Sequence, residues 1–447
     1  MIVDHSVSPS DLKPKLERFW NLSAQKIVAI AENYDQAQGS PVCTVEGKYL
    51  GRGWTDWTQG FQFGSALLQF DATSDEHFLE LGRTATLEHM GQHLTDFGVH
   101  DHGFNIVSTY GNLWRLMNEG RIPEELLARR LYECALMVSG AVQARRWTAL
   151  DPGHGFIYSF NGPHSLFIDT IRSLRSLALA HLLGCVLRDE TGRSVSLLHR
   201  LKQHIVATTR YCVFYGEQRD IYDVRGRVAH EALFNTLDGS YRCPSTQQGY
   251  SPFSTWTRGL SWAICGLAEQ LEFLRSVGDD EVTPTVLEAA RATCDFYIEA
   301  VSAADGIPYW DTGAPGLTQL GDWRSAPSDP FNAHEPVDSS AAAIAAQGLL
   351  RLGAYLGDGQ YVAAAVSIAR TLIEAPYLSE SRSHQGLLLH SIYHRPNGWD
   401  HVPVGQSVPC GESSMWGDYH VRELALMIGR LAEGLSLPTF YQGALGT

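Results

Sequence analysis

Two aspartates stand where a loop gives way to an apolar run with helical spacing: Asp101 in H-D-H-G-F (100–104) and Asp169 in F-I-D-T-I-R-S-L (167–174). An aspartate at a helix start has an ordinary explanation, because the free N–H groups and the positive end of the helix dipole favour a carboxylate there. Two of them reaching one mouth have a chemical one. A helix N-terminus lowers an aspartate pKa, whereas a second carboxylate nearby raises it and so keeps a proton available for general acid/base work on a sugar. On this placement Asp169 reads as the acid/base and Asp101 as its partner.

Helices must position such a pair. Apolar residues recur at helical spacing in twelve segments, at about 13–33, 61–70, 75–94, 103–120, 123–146, 161–188, 194–211, 254–277, 284–301, from 338, from 359, and 416–435. In the first, Leu16, Phe19, Trp20, Ala24, Ile27 and Ala31 share one face. The third opens with Asp75 and Glu76, and Pro123 followed by two glutamates predicts the start of the fifth. No convincing run of alternating strand residues is found.

The connections carry more information than the helices. Those from even to odd helices are short, including the sixth to the seventh. Those from odd to even helices are long, apart from a brief third-to-fourth link near 96–101, and loops of that length are usually functional. If successive helices run up and down, all the long loops emerge at one end. Six helical hairpins closed in a ring make an all-α (α/α)6 barrel, one domain over 1–447, with even-numbered helices inside and their N-termini facing the loops. No repeat of fixed period supports a solenoid instead.

At the starts of the even helices stand Trp54 and Trp57, His100 and Asp101, Asp169, then Trp256, Arg258 and Trp262, Asp338, and Trp416 with Asp418. Aromatic rings among carboxylates and an arginine suit a carbohydrate, whose faces stack on rings while polar groups fix its hydroxyls. Asp338 and Asp418 read as helix caps and are left out of the chemistry. His102 reads as a local hydrogen-bonding residue, since one short H-D-H without a second ligand cluster does not make a metal site. His154 and His164 read as loop residues.

Composition narrows the partners. With 34 Lys plus Arg against 49 Asp plus Glu, the formal charge of −15 disfavours nucleic acid and anionic membranes. No stretch approaches the roughly 20 apolar residues needed to span a bilayer, and no basic segment followed by an apolar run opens the chain. The eight cysteines are scattered without C-x-x-C pairs, so neither a disulfide framework nor a structural metal is indicated. The chain reads as cytoplasmic.

Several segments together resemble the unsaturated glucuronyl hydrolases, glycoside hydrolase family 88: H-D-H-G-F, F-I-D-T, Q-G-Y-S-P-F-S-T-W-T-R-G-L-S-W (248–262), D-S-S-A-A-A-I-A-A-Q-G-L-L (338–350), G-L-L-L-H (386–390) and M-W-G-D-Y (415–419). The resemblance keeps the family's order and implies the same (α/α)6 barrel. It implies that Asp101 and Asp169 are the catalytic pair and that His230, Gln248, Arg258 and Trp262 bind sugar. W-T-Q-G-F-Q (57–62) is similar to the family's W-T-[DN]-G-F-W, with Trp57 retained and Gln59 and Gln62 as departures. His102 also departs from a position that is more often aliphatic.

The implied substrate is an oligosaccharide ending in a 4,5-unsaturated uronic acid, and the implied reaction is hydration of its C4–C5 double bond, which needs no metal or organic cofactor. Asp169 would protonate C4 and activate water for C5. Asp101 would hold a ring hydroxyl and keep Asp169 protonated, while His100 and Trp57 join the substrate-binding residues. Three alternatives stay open: a rhamnogalacturonyl or galacturonyl hydrolase acting on pectin fragments, a sugar epimerase using paired histidines, and a non-catalytic sugar-binding barrel.

Overall fold

The computed structural model describes residues 1–52, 56–150 and 153–441. Twelve helices are found among them: α1 (Lys13–Asn33), α2 (Gln59–Thr73), α3 (Glu76–His89), α4 (102–118, with a π turn at Val107–Gly111), α5 (Leu126–Arg145) and α6 (170–182, stepped at Leu174). The second half holds α7 (Leu197–Tyr211), α8 (Thr257–Val277), α9 (283–301), α10 (Ser339–Leu356), α11 (Gly359–Leu372) and α12 (Met415–Ala432).

Burial separates them into two layers. In α2, α8, α10 and α12 nearly every residue is buried whichever way it faces, as in Ser339–Gly353 and Met415–Ile428. By contrast α1 buries one stripe, including Leu16, Phe19, Trp20, Ile27 and Ile30. A helix buried on all sides lies inside a ring, and one with a single apolar stripe lies outside it. Each even helix touches the next, and α12 returns to α2, so the inner ring closes as an (α/α)6 barrel. No helix among the described residues is long and apolar enough to cross a membrane.

Several expectations are corrected. Among the described residues, nine short strands in four small sheets decorate the loops: β1 (Pro41–Val45), β2 (Lys48–Gly51), β3 (Trp147–Leu150), β4 (His154–Ile157), β5 (Ser165–Phe167), β6 (Leu187–Arg188), β7 (Ser194–Val195), β8 (Glu231–Phe234) and β9 (Tyr241–Ser245). Strands this short are below the reach of an alternation pattern. His154 accordingly opens β4 rather than lying in a loop. Pro123 does not start α5, because Glu125 is extended and its carbonyl accepts the first helical bond from Arg129.

Helix α6 is shorter at both ends than 161–188. Residues before it form a turn and β5, which pairs with β8, while Gly184 at φ +76° ends it and leads into the β6–β7 hairpin. The α6–α7 connection is therefore not a short turn. Ser196 caps α7 by accepting from His199, so that helix begins after Ser194. In α1 the outward drift of the stripe leaves Ala31 exposed and brings Ser23 and Lys26 inside instead.

Candidate active site

Asp101 and Asp169 each occupy the position just before an inner helix, and neither side chain makes a capping hydrogen bond there. Asp338 shows what the ordinary role looks like: its Oδ1 accepts from the N–H groups of Ser340 at 3.1 Å and Ala341 at 3.4 Å. The two uncommitted carboxylates share His100. Its Nε2 lies 3.1 Å from Asp169 Oδ1, a bond it donates, and 3.7 Å from Asp101 Oδ1.

The backbone brings α4 and α6 together to make this possible. Ser173 Oγ donates to the His100 carbonyl at 2.8 Å and accepts from the Gly103 N–H at 2.8 Å, while Gln143 holds the same carbonyl from α5 at 2.9 Å. A Cβ on Gly103 would lie 2.4 Å from the Ser173 carbonyl oxygen, so only glycine permits the approach. On the other side, β5 pairs with β8 and the Ile168 N–H bonds to the His230 carbonyl at 2.9 Å, which fixes the residue before Asp169.

The electrostatics divide the pair. Burial pushes the Asp101 carboxyl up, with the Asp169 charge adding to it and His100 opposing, to about 6. Burial also opposes ionisation of Asp169, but the hydrogen-bonded His100 outweighs it, helped by His230 and Arg258, and leaves Asp169 below the ordinary carboxylate range. His100 is held above its usual value although burial works against it, because both carboxylates face it. Of the two carboxyls, Asp101 is therefore the one that takes up a proton first as the pH falls, at about 6 and after His100. This reverses the expectation that Asp101 keeps Asp169 protonated, and the reason is that His100 sits closer to Asp169.

A cavity of about 460 Å³ opens above the pair. Its walls include Trp57, His100, Asp101, Asp169, Gln248, Arg258 and Trp262, so seven of the eight sequence-derived site residues meet in one place. Arg258 is anchored by Asp338 at 3.4 Å, by the Tyr393 carbonyl at 2.8 Å and by the Ile392 carbonyl, and it donates to Gln248 Oε1 at 2.8 Å. Asp338 is thus both a cap and the anchor of that arginine. The eighth residue, His230, packs behind the wall between Phe167 and Trp256, and its Nδ1 accepts from the Gln247 N–H at 3.0 Å.

Other mouth assignments fare differently. Trp54 lies outside the described residues. Trp416 is fully buried, stacked on Trp57 at 5.1 Å and donating to Ser340 Oγ, so it supports the wall from behind. Asp418 is not a cap: Ser414 takes that role, and the Asp418 carboxylate accepts from the Leu387 and Leu388 N–H groups, tying the α11–α12 loop to the barrel. His102 spends both ring nitrogens on Ser139 and the Asp96 carbonyl, while His164 lies in an exposed turn.

Sequence reasoning missed Phe160, Gln247, Tyr393, His394, Asn397 and Trp399, which complete the cavity. Four of these come from a single loop. There Asp400 accepts from the Tyr393 and His394 N–H groups and Gly398 takes φ +63°, closing a turn around R-P-N-G-W. The Pro-Asn-Gly signal for that turn was present in the sequence, but its distance from the mouth was not.

A closed helical barrel carrying two uncommitted carboxylates, one shared histidine and an aromatic-lined cavity defines a carbohydrate-active hydrolase. No protein-family model matches the chain. It is 26% identical over 401 residues to the unsaturated glucuronyl hydrolase of Bacillus sp. (strain GL1), covering 87% of this chain and 90% of that one. It is 24% identical over 418 residues to the unsaturated chondroitin disaccharide hydrolase of Streptococcus pyogenes serotype M1, covering 90% and 88%. The crystal structure of an unsaturated glucuronyl hydrolase specific for heparin superposes with a TM-score of 0.74 at 20% identity, over 95% of this chain and all of that one, and shares its fold. Over most of its length the chain is similar in sequence to unsaturated glucuronyl hydrolases.

Proposed function

We propose that this enzyme removes a 4,5-unsaturated uronic acid from the non-reducing end of lyase-generated oligosaccharides of the glycosaminoglycan type, by hydrating the C4–C5 double bond. The observation that carries the reading is the pair of buried carboxylates at helix starts that cap nothing and share His100. The relatives' names, which specify unsaturated glucuronyl and chondroitin disaccharide substrates, point the same way.

In this mechanism Asp169 delivers a proton to C4, the double-bond electrons form the new C–H bond, and positive charge develops at C5 and the ring oxygen. Asp169, now ionised, takes a proton from water as that water attacks C5. The hemiketal opens to a C5 ketone, and the hemiacetal left at C1 expels the remaining sugar. Asp169 must first be protonated. The arriving uronate adds negative charge beside it, which raises its proton affinity, and His100 passes a proton across their 3.1 Å bond. Asp101 keeps its own proton and donates to a ring hydroxyl. Arg258 and Gln248 hold the uronate or its neighbour, His230 fixes the Gln248 loop, and Trp57 and Trp262 face the sugar rings.

We further propose that the chain works as one catalytic domain, because first and last helices share the ring and its core. All eight cysteines are free thiols, which fits a reducing cytoplasm.

The test is the ultraviolet absorbance of an unsaturated chondroitin disaccharide in oxygen-18 water. Wild type should abolish it and place the heavy oxygen at C5, whereas Asp169→Asn should leave it standing. Faster turnover of a pectin-derived disaccharide would move the enzyme to the galacturonyl class. Undiminished activity of Asp169→Asn would transfer the chemistry to His100 and His230.

A further inference from the structure

Gln247 and Gln248 are neighbours in the wall of the catalytic cavity, and their amides are oriented in opposite senses. An amide can turn half round without changing its shape, so the end it shows a ligand is read from its partners. For Gln248 the partner is Arg258, whose guanidinium only donates and whose Nη2 lies 2.8 Å from Gln248 Oε1. The Gln248 NH2 is then left for the cavity, as a donor suited to the uronate carboxylate.

For Gln247 the orientation is set two partners away. Glu231 is 3% exposed, and its Oε1 accepts from Ser165 Oγ and, at 3.0 Å, from Asn161 Nδ2. A carboxylate only accepts, so Asn161 turns its NH2 toward Glu231 and its carbonyl the other way. That carbonyl accepts from Gln247 Nε2 at 2.6 Å. Gln247 Oε1 makes no hydrogen bond to the described residues and is the polar atom that this side chain has left for the cavity.

The frame around the two amides is pinned. The N–H groups of Gln247, Gly249 and Tyr250 bond to His230 Nδ1 at 3.0 Å, Thr246 Oγ1 at 2.9 Å and Asp311 Oδ2 at 2.8 Å. Asn161 is fixed by its own N–H on Ser159 Oγ at 3.1 Å. Among the described residues of the cavity walls there is no lysine, and Arg258 is the one arginine. A sulfate ester against Gln247 Oε1 would therefore set acceptor on acceptor, with no second arginine or lysine in those walls to balance its charge.

We infer that Gln247 is a specificity-determining residue whose carbonyl requires a hydrogen-bond donor, a free hydroxyl or an amide N–H, on the sugar atom that faces it, and so selects substrates unsulfated at that position. This rests on the hydration reading proposed above and narrows its substrate class. A site built to accept from a hydroxyl rejects the analogue that lacks it, because the acceptor is then desolvated without compensation.

The experiment measures kcat/KM of the full-length enzyme, by loss of ultraviolet absorbance, on the unsulfated unsaturated chondroitin disaccharide and on its forms singly sulfated at C2 of the uronate or at C4 or C6 of the hexosamine. At least one sulfated form should be about tenfold or more poorer than the unsulfated one, and its sulfate marks the hydroxyl that Gln247 reads. Gln247→Lys, which turns the acceptor into a donor, should erase or invert that ratio. Asn161→Ala, which frees the Gln247 amide to turn, should lower it several-fold. A loss of fold would instead lower every rate together and leave the ratio alone. Wild-type values within about threefold of one another, or a ratio that neither variant moves, would overturn the inference and leave the hydrolase reading standing. No turnover of any of these disaccharides would overturn the hydrolase reading and the inference with it.

Discussion

The barrel's inner helices carry two buried charge clusters built in opposite ways, and α6 takes part in both. At the mouth, two carboxylates and one histidine sit at helix starts with few other partners. Deeper along those helices, Arg172 and Arg175 of α6, Glu269 and Glu272 of α8, Arg351 of α10 and Glu423 of α12 form a network. Arg172 lies 2.6 Å from Glu269 and 3.2 Å from Glu423, and Arg351 lies 2.9 Å from Glu272. Three cations meet three anions. Burial pushes Glu423 up, yet facing Arg172 and Arg175 hold it below its ordinary range, whereas Asp101 at the mouth is pushed up to about 6. The balanced cluster fastens the ring; the unbalanced one stores a proton.

The largest effect should come from removing the group that moves the proton. Asp169→Asn should lower kcat by about 10³-fold, the scale of general acid/base catalysis, while thermal unfolding changes little. The interior cluster should show the inverse. Glu269→Gln leaves Arg172 underpaired in the core and should cost about 3–5 kcal/mol by denaturant titration, with kcat of the folded fraction nearly unchanged. Equal loss of activity and stability in both variants would erase the contrast.

The proton on Asp101 should be visible in the pH dependence. In the free enzyme it is bound below about 6, so kcat/KM should fall as the pH rises through that value. Stability carries the same sign. A carboxyl whose folded pKa is raised from 3.8 to about 6 stabilises the fold fully below its unfolded value and loses that contribution as pH rises through the folded one. The loss is up to about 3 kcal/mol between pH 4 and 6, and chemical denaturation of Asp101→Asn should lack it.

The smallest effect should be at the rim. Trp399, which packs on His394 at 4.8 Å, contributes ring surface to the cavity without touching the carboxylates. Trp399→Ala should raise KM several-fold, about 1 kcal/mol, and leave kcat within about twofold of wild type. A large fall in kcat would show that the loop positions the acid/base pair as well as the sugar.

Much of the mouth was legible because its signals are local. An aspartate ahead of an apolar run marks a helix start, and the alternation of short and long connections orients helices without any knowledge of their packing. The loop residues Tyr393, His394, Asn397 and Trp399 were illegible because the turn closed by Asp400 is local but does not say what it faces, while Asp418, which tethers the loop to the barrel, bonds across 31 residues. Trp416 was misread for a related reason: a tryptophan at a helix start looks alike whether it faces the cavity or backs it.

By itself the sequence determined the twelve-helix pattern, the inner and outer assignment, and the two aspartates at the functional end. Periodicity and loop length are properties of the chain's own spacing, and they survive without contacts. Only the tertiary structure decided which aspartate holds the proton, since that turns on His100 lying 3.1 Å from Asp169 but 3.7 Å from Asp101. It alone revealed the interior Arg–Glu network, because a buried charge is defined by the neighbours that distant helices bring to it.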